Sequence, residues 1–210
     1  MKRPVLRAMI CAALMLPLPA AAEDVAGSFD YYVLSLSWSP SWCATVGGDA
    51  PQCEPRRQSG FVVHGLWPQY ERGWPDFCTT AQRDPTRRES RGMEALMGSA
   101  GLAWYQWQKH GRCSGLSGPD YYRATTEAAA TVTIPPVLAR LPRDMRLGAS
   151  VIEDAFIETN PALTRDGITV TCKDGRLQEV RICLTRDLEP RLCGHDIRRD
   201  CRTPMLVEAP

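Results

Sequence analysis

From Tyr31 to Trp38 apolar and small polar positions alternate, with Tyr32, Leu34, Leu36 and Trp38 on one face and Ser35 and Ser37 on the other. A period of two predicts a half-buried strand. Gly60 to Leu66 has the same period and reads as a second strand, with Phe61, Val63 and Gly65 facing one way and Val62, His64 and Leu66 the other. Pro68 ends it. Between the two, Pro40, Gly47, Gly48 and Pro51 mark a loop, and residues 70–80 read as another. The period then lengthens. Helices are expected over Arg87–Ser99, over Leu102–His110 with Gly111 as its stop, and over Asp120–Thr131. The last would pack through Tyr121, Tyr122, Thr125, Ala128 and Ala129. Pro135-Pro136 interrupts, and a short helix follows to Leu141. Ser150-Val-Ile-Glu153 spells a capping box, which predicts a helix over Val151–Glu158 that Asn160-Pro161 closes.

Alternation returns over Ile168–Cys172 and Leu177–Leu184, on either side of Lys173-Asp-Gly-Arg176. Asp-Gly between two such runs is a hairpin signal. From Thr185 onward the chain reads as irregular. Strands at both ends with helices between them give an α+β domain built on a mainly antiparallel central sheet flanked by helices.

The first residues stand apart from this pattern. Lys2, Arg3 and Arg7 precede an apolar run, Ala8–Leu18, that is too short to span a bilayer, and Ala20-Ala-Ala22 offers a cleavage site. Residues 1–22 therefore read as a secretory signal peptide, with residues 23–210 as a single domain in the periplasm or the medium. Without the leader, 22 cationic residues face 24 acidic ones, a net charge near −2. That balance argues against tight, non-specific binding to duplex nucleic acid and leaves room for a local cationic site. Of nine Cys, Cys11 departs with the leader and eight remain, an even number that suits disulfides in an exported protein. Spacing alone does not choose their pairing. No C-x-x-C pair is present, and neither a metal nor a cofactor is called for.

The chemistry concentrates in two stretches. Two of the chain's three His lie in Phe61-Val-Val-His-Gly-Leu-Trp-Pro68 and Trp104-Tyr-Gln-Trp-Gln-Lys-His-Gly-Arg-Cys113. On a helix Gln106, Lys109 and His110 share one face. Two imidazoles held together make an acid/base pair near neutral pH, and an adjacent Lys suits negative charge developing on a phosphorane. No nucleophile motif accompanies them, so a substrate with its own nucleophile fits, such as RNA with its 2′-hydroxyl. Trp67 and Trp74 offer stacking surfaces for unpaired bases. Trp104 and Trp107, at i and i+3, read as core anchors of the helix.

Phe61–Pro68 and Trp107-Gln-Lys-His-Gly-Arg-Cys113 resemble the two active-site segments of the ribonuclease T2 family, and Asp30–Cys43 resembles its first strand. The resemblance implies an exported, metal-independent endoribonuclease that cleaves single-stranded RNA through a 2′,3′-cyclic phosphate. It implies His110 as base, His64 as acid and Lys109 as the cation on the pentavalent phosphate. It also implies Trp67 as a base-stacking side chain and Gln69 as base-selecting, with Tyr70 and Trp74 as further candidates for the pocket. The same resemblance implies the bridges Cys43–Cys53, Cys78–Cys113, Cys172–Cys201 and Cys183–Cys193, and a monomer is the default for such an enzyme.

Two positions depart from the family's pattern. Where it carries His-Glu-Trp, this chain has Tyr105-Gln106-Trp107, a phenol for a phosphate-contacting imidazole and an amide for a catalytic carboxylate. Both can donate hydrogen bonds. Loss of the negative charge lowers the pKa of the catalytic imidazole, and a pH optimum moved upward is the expectation attached to it. The departures also support a rival reading, a catalytically impaired homologue that binds RNA or another envelope partner. A third reading, a disulfide-rich structural or inhibitory protein, explains the Cys and leaves both His stretches without a purpose.

Overall fold

The computed structural model describes residues 24–48, 50–54 and 60–210. The expected leader lies outside them. Five of six strands form a path in the order β2 (Phe61–Gln69), β1 (Tyr31–Trp38), β5 (Arg176–Leu184), β6 (Met205–Val207) and β3 (Met145–Leu147), while β4 (Ile168–Lys173) pairs with β5. Every pairing is antiparallel except the brief parallel contact of β5 with β6 at Arg176 and Leu206. Seven α-helices are named among the described residues. α1 is Ser39–Trp42, α2 Arg87–Gly92, α3 Glu94–Met97, α4 Ala100–Lys109, α5 Gly118–Ala130, α6 Pro136–Ala139 and α7 Ala149–Thr159.

β1 is central and buried on both faces. Tyr32, Leu34, Leu36 and Trp38 join the main core with Trp107, Tyr121, Phe156, Val170 and Ile182. Tyr31 and Val33 point the other way, into a second cluster with Trp67, Cys183, Cys193 and Ile197. The strand expected to be half-buried is therefore covered on both sides, because the disulfide-held C-terminal tail packs over the second face.

In β2 the expected alternation breaks at one residue. Ser35 pairs with Gly65 and Leu36 with Val63, which leaves His64 as the extra residue of a β-bulge. The bulge shifts the parity. Val63 and Leu66, three apart, both enter the main core, while Trp67 joins the second cluster. The expectation that Leu66 shares a face with His64 is thus corrected. A second irregularity lies in β5, where Thr171 pairs with Glu179 and Cys172 with Leu177, so that Gln178 is left over.

The helices follow their sequence signals with three corrections. Arg87–Ser99 is divided into α2 and α3, and Gly98 ends α3 at φ 86°. A capping box does occur, but at Thr86 and Glu89 on α2. The Ser150–Glu153 box is not formed. α7 begins at Ala149 after Gly148 with no side-chain cap, and the buried Glu153 instead meets Arg165. Gly111 is not a left-handed stop for α4. It starts a single 3-10 turn, and a Cβ there would lie 2.5 Å from the Trp107 ring and 2.7 Å from Tyr121, so close packing explains the glycine. The short strands β3 and β6 were not legible, since three residues carry no usable period. The Lys173–Arg176 hairpin forms as expected, with Asp174 at φ 52° and Gly175 at φ 73°.

Four disulfides, Cys43–Cys53, Cys78–Cys113, Cys172–Cys201 and Cys183–Cys193, fasten the loops to this frame. Among the described residues no helix is long and apolar enough to cross a membrane.

Candidate active site

His64 and His110 meet through Trp67. The Trp67 indole stacks on the His110 ring at 5.2 Å between centroids, 29° from parallel, and the His64 ring meets Trp67 edge-on at 5.3 Å and 74°. β2 supplies His64 and Trp67, and the end of α4 supplies His110. α4 is held in place by Ser99, whose hydroxyl caps Leu102 N, and by Trp107, which is buried and donates its indole N–H to Asp84 at 2.7 Å. At the other end Phe77 N donates to the Lys109 carbonyl, and Cys113 bridges to Cys78.

Gln106 faces the same place. Its Oε1 accepts the Trp67 indole N–H at 2.7 Å, and the side chain is 1% exposed. This bond passes over Gly65, where a Cβ would lie 2.4 Å from both Gln106 Oε1 and Trp67 Nε1. The Gly of the His-Gly-Leu-Trp run is thus a requirement of space.

The two imidazoles have opposite environments. His110 is 6% exposed, and its Nδ1 is buried without a hydrogen-bond partner among the described residues. Burial pushes its pKa down to about 3, helped by the charges of Lys109 and His64. His110 is therefore a neutral imidazole at neutral pH. An imidazole with a depressed pKa can accept a proton down to lower pH, so a pH profile moved downward, and not upward, is what this geometry leads one to expect. His64 has a side chain 32% exposed, and its Nδ1 lies 2.5 Å from Glu179 Oε1. Glu179 also accepts from Arg181 Nε and Nη2 at 2.9 and 2.7 Å. Burial alone would raise the Glu179 carboxyl, but the His64 bond and the Arg181 guanidinium together hold it below the ordinary range. His64 opens onto a cavity of about 390 Å³ that Ser37, Trp42, Lys173, Arg176 and Glu179 also line.

The model of the ribonuclease T2 family matches residues 29–193. The chain belongs to the ribonuclease T2 family. Among relatives, a ribonuclease of Aeromonas hydrophila is 46% identical over 106 residues, which cover 50% of this chain and 47% of that protein. A probable ribonuclease of Haemophilus influenzae is 32% identical over 140 residues, 60% of this chain and 51% of that one. The chain thus spans about half the length of these two relatives. In structure it resembles an RNase-related protein from Calystegia sepium, at a TM-score of 0.66 and 23% identity over 87% of this chain and 97% of that chain. RNase NT in complex with 5′-AMP gives a TM-score of 0.64 at 21% identity, over 87% and 98%. At these identities the likeness concerns the fold.

The remaining candidates of this T2 chain are placed unevenly. Trp67 is 9% exposed, with His110 against it and the Arg181 guanidinium 5.3 Å from its centroid. It lies as a wedge between the two imidazoles. Gln69 is buried, with Nε2 donating to the Pro68 carbonyl at 2.9 Å. Tyr70 is half-buried and donates to Asp24. Trp74 and Tyr105 are exposed, and Tyr105 meets the exposed Phe77 edge-on at 6.4 Å. Tyr105 thus points away from the Gln106–Trp67 contact.

Glu179 and Arg181 were missed by the reading of the sequence. Their signal was present as two charges, two residues apart, inside a largely apolar strand, Leu177–Leu184. Period-two reading assigns such charges to a solvated face.

Proposed function

We propose that this chain is an exported, metal-independent endoribonuclease that cleaves single-stranded RNA by attack of the 2′-hydroxyl on the adjacent phosphate. Residues 23–210 form its catalytic domain, working as a monomer in the periplasm or the medium. His110 accepts the 2′-hydroxyl proton as the 2′-oxygen bonds to phosphorus. His64 donates a proton to the 5′-oxygen as its bond to phosphorus breaks. The products are a 2′,3′-cyclic phosphate and a free 5′-hydroxyl. Lys109, next to His110 at the end of α4, stabilises the charge of the pentavalent phosphate. Trp67 keeps the two imidazoles apart and oriented, and Gln106 fixes Trp67.

The observation that carries this reading is the contrast between the two imidazoles. One is buried, neutral and suited to accept a proton. The other is partly exposed, with its Nδ1 on a carboxylate. Two catalytic groups with divergent environments are the pattern that acid/base enzymes use. Trp74 and Tyr105, both exposed, would supply aromatic surfaces for unpaired bases, with Tyr70 as a further candidate.

The test is incubation of the oxidised protein with single-stranded RNA in excess EDTA, followed by analysis of the ends. Cyclic-phosphate ends that disappear with His64→Ala and with His110→Ala support the enzyme. RNA binding without cleavage would instead support the impaired homologue, for which the amide at Gln106 is the favouring feature.

A further inference from the structure

Across β1, the paired residues show how His64 finds a carboxylate. Val62 and Glu179 both pair with Ser37, from opposite sides, and Gly65 and Arg181 both pair with Ser35. β2 and β5 are thus separated by one strand, roughly 10 Å at two strand spacings. Side chains at that separation ordinarily do not meet. Three features bring these two together. The bulge extrudes His64 from the β2 ladder. The left-over Gln178 marks a matching irregularity beside Glu179. Ser35 and Ser37 keep the intervening surface low, since neither carries a large side chain.

The Glu179 carboxylate is itself built in. It is almost wholly buried, and Arg181, two residues along the same strand, clasps Oε2 with two nitrogens while Oε1 takes His64 Nδ1. A buried carboxylate with this double support is fixed in position, and its bond to Nδ1 leaves Nε2 as the ring nitrogen that faces outward. α4, by contrast, brings no carboxylate to Trp67, which it meets through the neutral amide of Gln106.

We propose that Glu179, held by Arg181, is a positioning residue for His64. It fixes the ring so that Nε2 is presented to the 5′-leaving oxygen. In this chain the carboxylate of the site comes from β5 instead of the catalytic helix. The inference rests on the proposed role of His64 as acid. The charged and titratable groups around the ring are Glu179 and Arg181 on β5, His110 beyond Trp67 with Lys109 beside it, and Lys173, Asp174 and Arg176 at the hairpin that borders the cavity.

A substrate pair separates this role from a merely structural one. One substrate is a dinucleoside monophosphate, whose alkoxide leaving group needs a proton. The other is the matching nucleoside 3′-(4-nitrophenyl phosphate), whose phenolate leaves without one. With Glu179→Gln, kcat on the dinucleotide is expected to fall about tenfold to hundredfold, part of the roughly 10²–10⁴ that a positioned acid contributes. KM stays within about twofold, while the aryl ester is cleaved at near wild-type rate. Equal losses on both substrates, or no loss on the dinucleotide, would overturn the proposal. If Glu179→Gln does not fold, Arg181→Gln is read in its place, with a smaller loss that is again confined to the dinucleotide. His64→Ala is the control. If it leaves dinucleotide cleavage intact, the assignment of His64 as acid fails, independently of Glu179.

Discussion

Trp67 and His110 stack at 5.2 Å, and this contact joins two elements far apart in sequence, the bulged strand β2 and the end of helix α4. It buries His110 and separates it from His64 in one arrangement. Removing the indole would let both rings move and admit water to His110.

Trp67→Ala is expected to lower kcat by about a hundredfold or more, the scale of a misplacement of roughly 1 Å in a catalytic group. It should also destabilise the fold by about 3–5 kcal/mol. Trp67→Phe keeps a ring against His110 and loses the N–H to Gln106, so a loss of about tenfold, with KM little changed, is expected. Steady-state kinetics and denaturant melts of the two variants check this ordering.

The pH dependence follows from His110. Its pKa is held at about 3, so the base form is present through the weakly acidic range. The acidic limb of kcat/KM should therefore lie well below the ordinary imidazole range. Gln106→Glu sets a negative charge near the ring, raises its pKa, and moves that limb to higher pH. A limb that stays still or moves down contradicts the assignment. Stability carries the same sign. As pH falls from about 6.5 towards 3 the unfolded chain takes up this proton first, so the contribution of His110 to stability is present above that window and is lost within it, at up to about 1.4 kcal/mol per pH unit. A His110→Leu variant should melt with a shallower pH dependence.

Gly65→Ala tests the close approach of the two segments. The added methyl meets Gln106 Oε1 and Trp67 Nε1. The variant is expected to lose about 1–3 kcal/mol of stability and roughly tenfold or more in kcat, as the Gln106–Trp67 bond is forced apart. Activity at the wild-type level would show that this bond does not matter.

Cys78–Cys113 ties the loop after β2 to the 3-10 turn after α4. Replacing both with Ser should cost about 2–5 kcal/mol and lower activity at temperatures where the fold still holds, because the end of α4 carries Lys109 and His110. Thermal melts paired with activity at low temperature check it.

Much of this was readable in the chain. Tyr31–Trp38 and the Asp174-Gly175 hairpin carry strong local signals, and His64, Gln106, Lys109 and His110 fall in two dense segments. What was not readable has definite physical causes. The bulge at His64 depends on a mismatch between two strands, which no single-strand period reveals, and it moved Leu66 and Trp67 to new faces. The burial of Trp67 and Gln69 has no local signature, since it comes from a distant helix and the C-terminal tail. Glu179 lies 115 residues from His64 in sequence and reaches it only across β1.

The most direct test uses a DNA oligonucleotide that contains one ribonucleotide, incubated with the oxidised protein in excess EDTA. Cleavage only on the 3′ side of that ribose, leaving a 2′,3′-cyclic phosphate and a free 5′-hydroxyl, is the predicted result. Cleavage at deoxyribose positions, or products with a 5′-phosphate, would contradict the two-imidazole transphosphorylation.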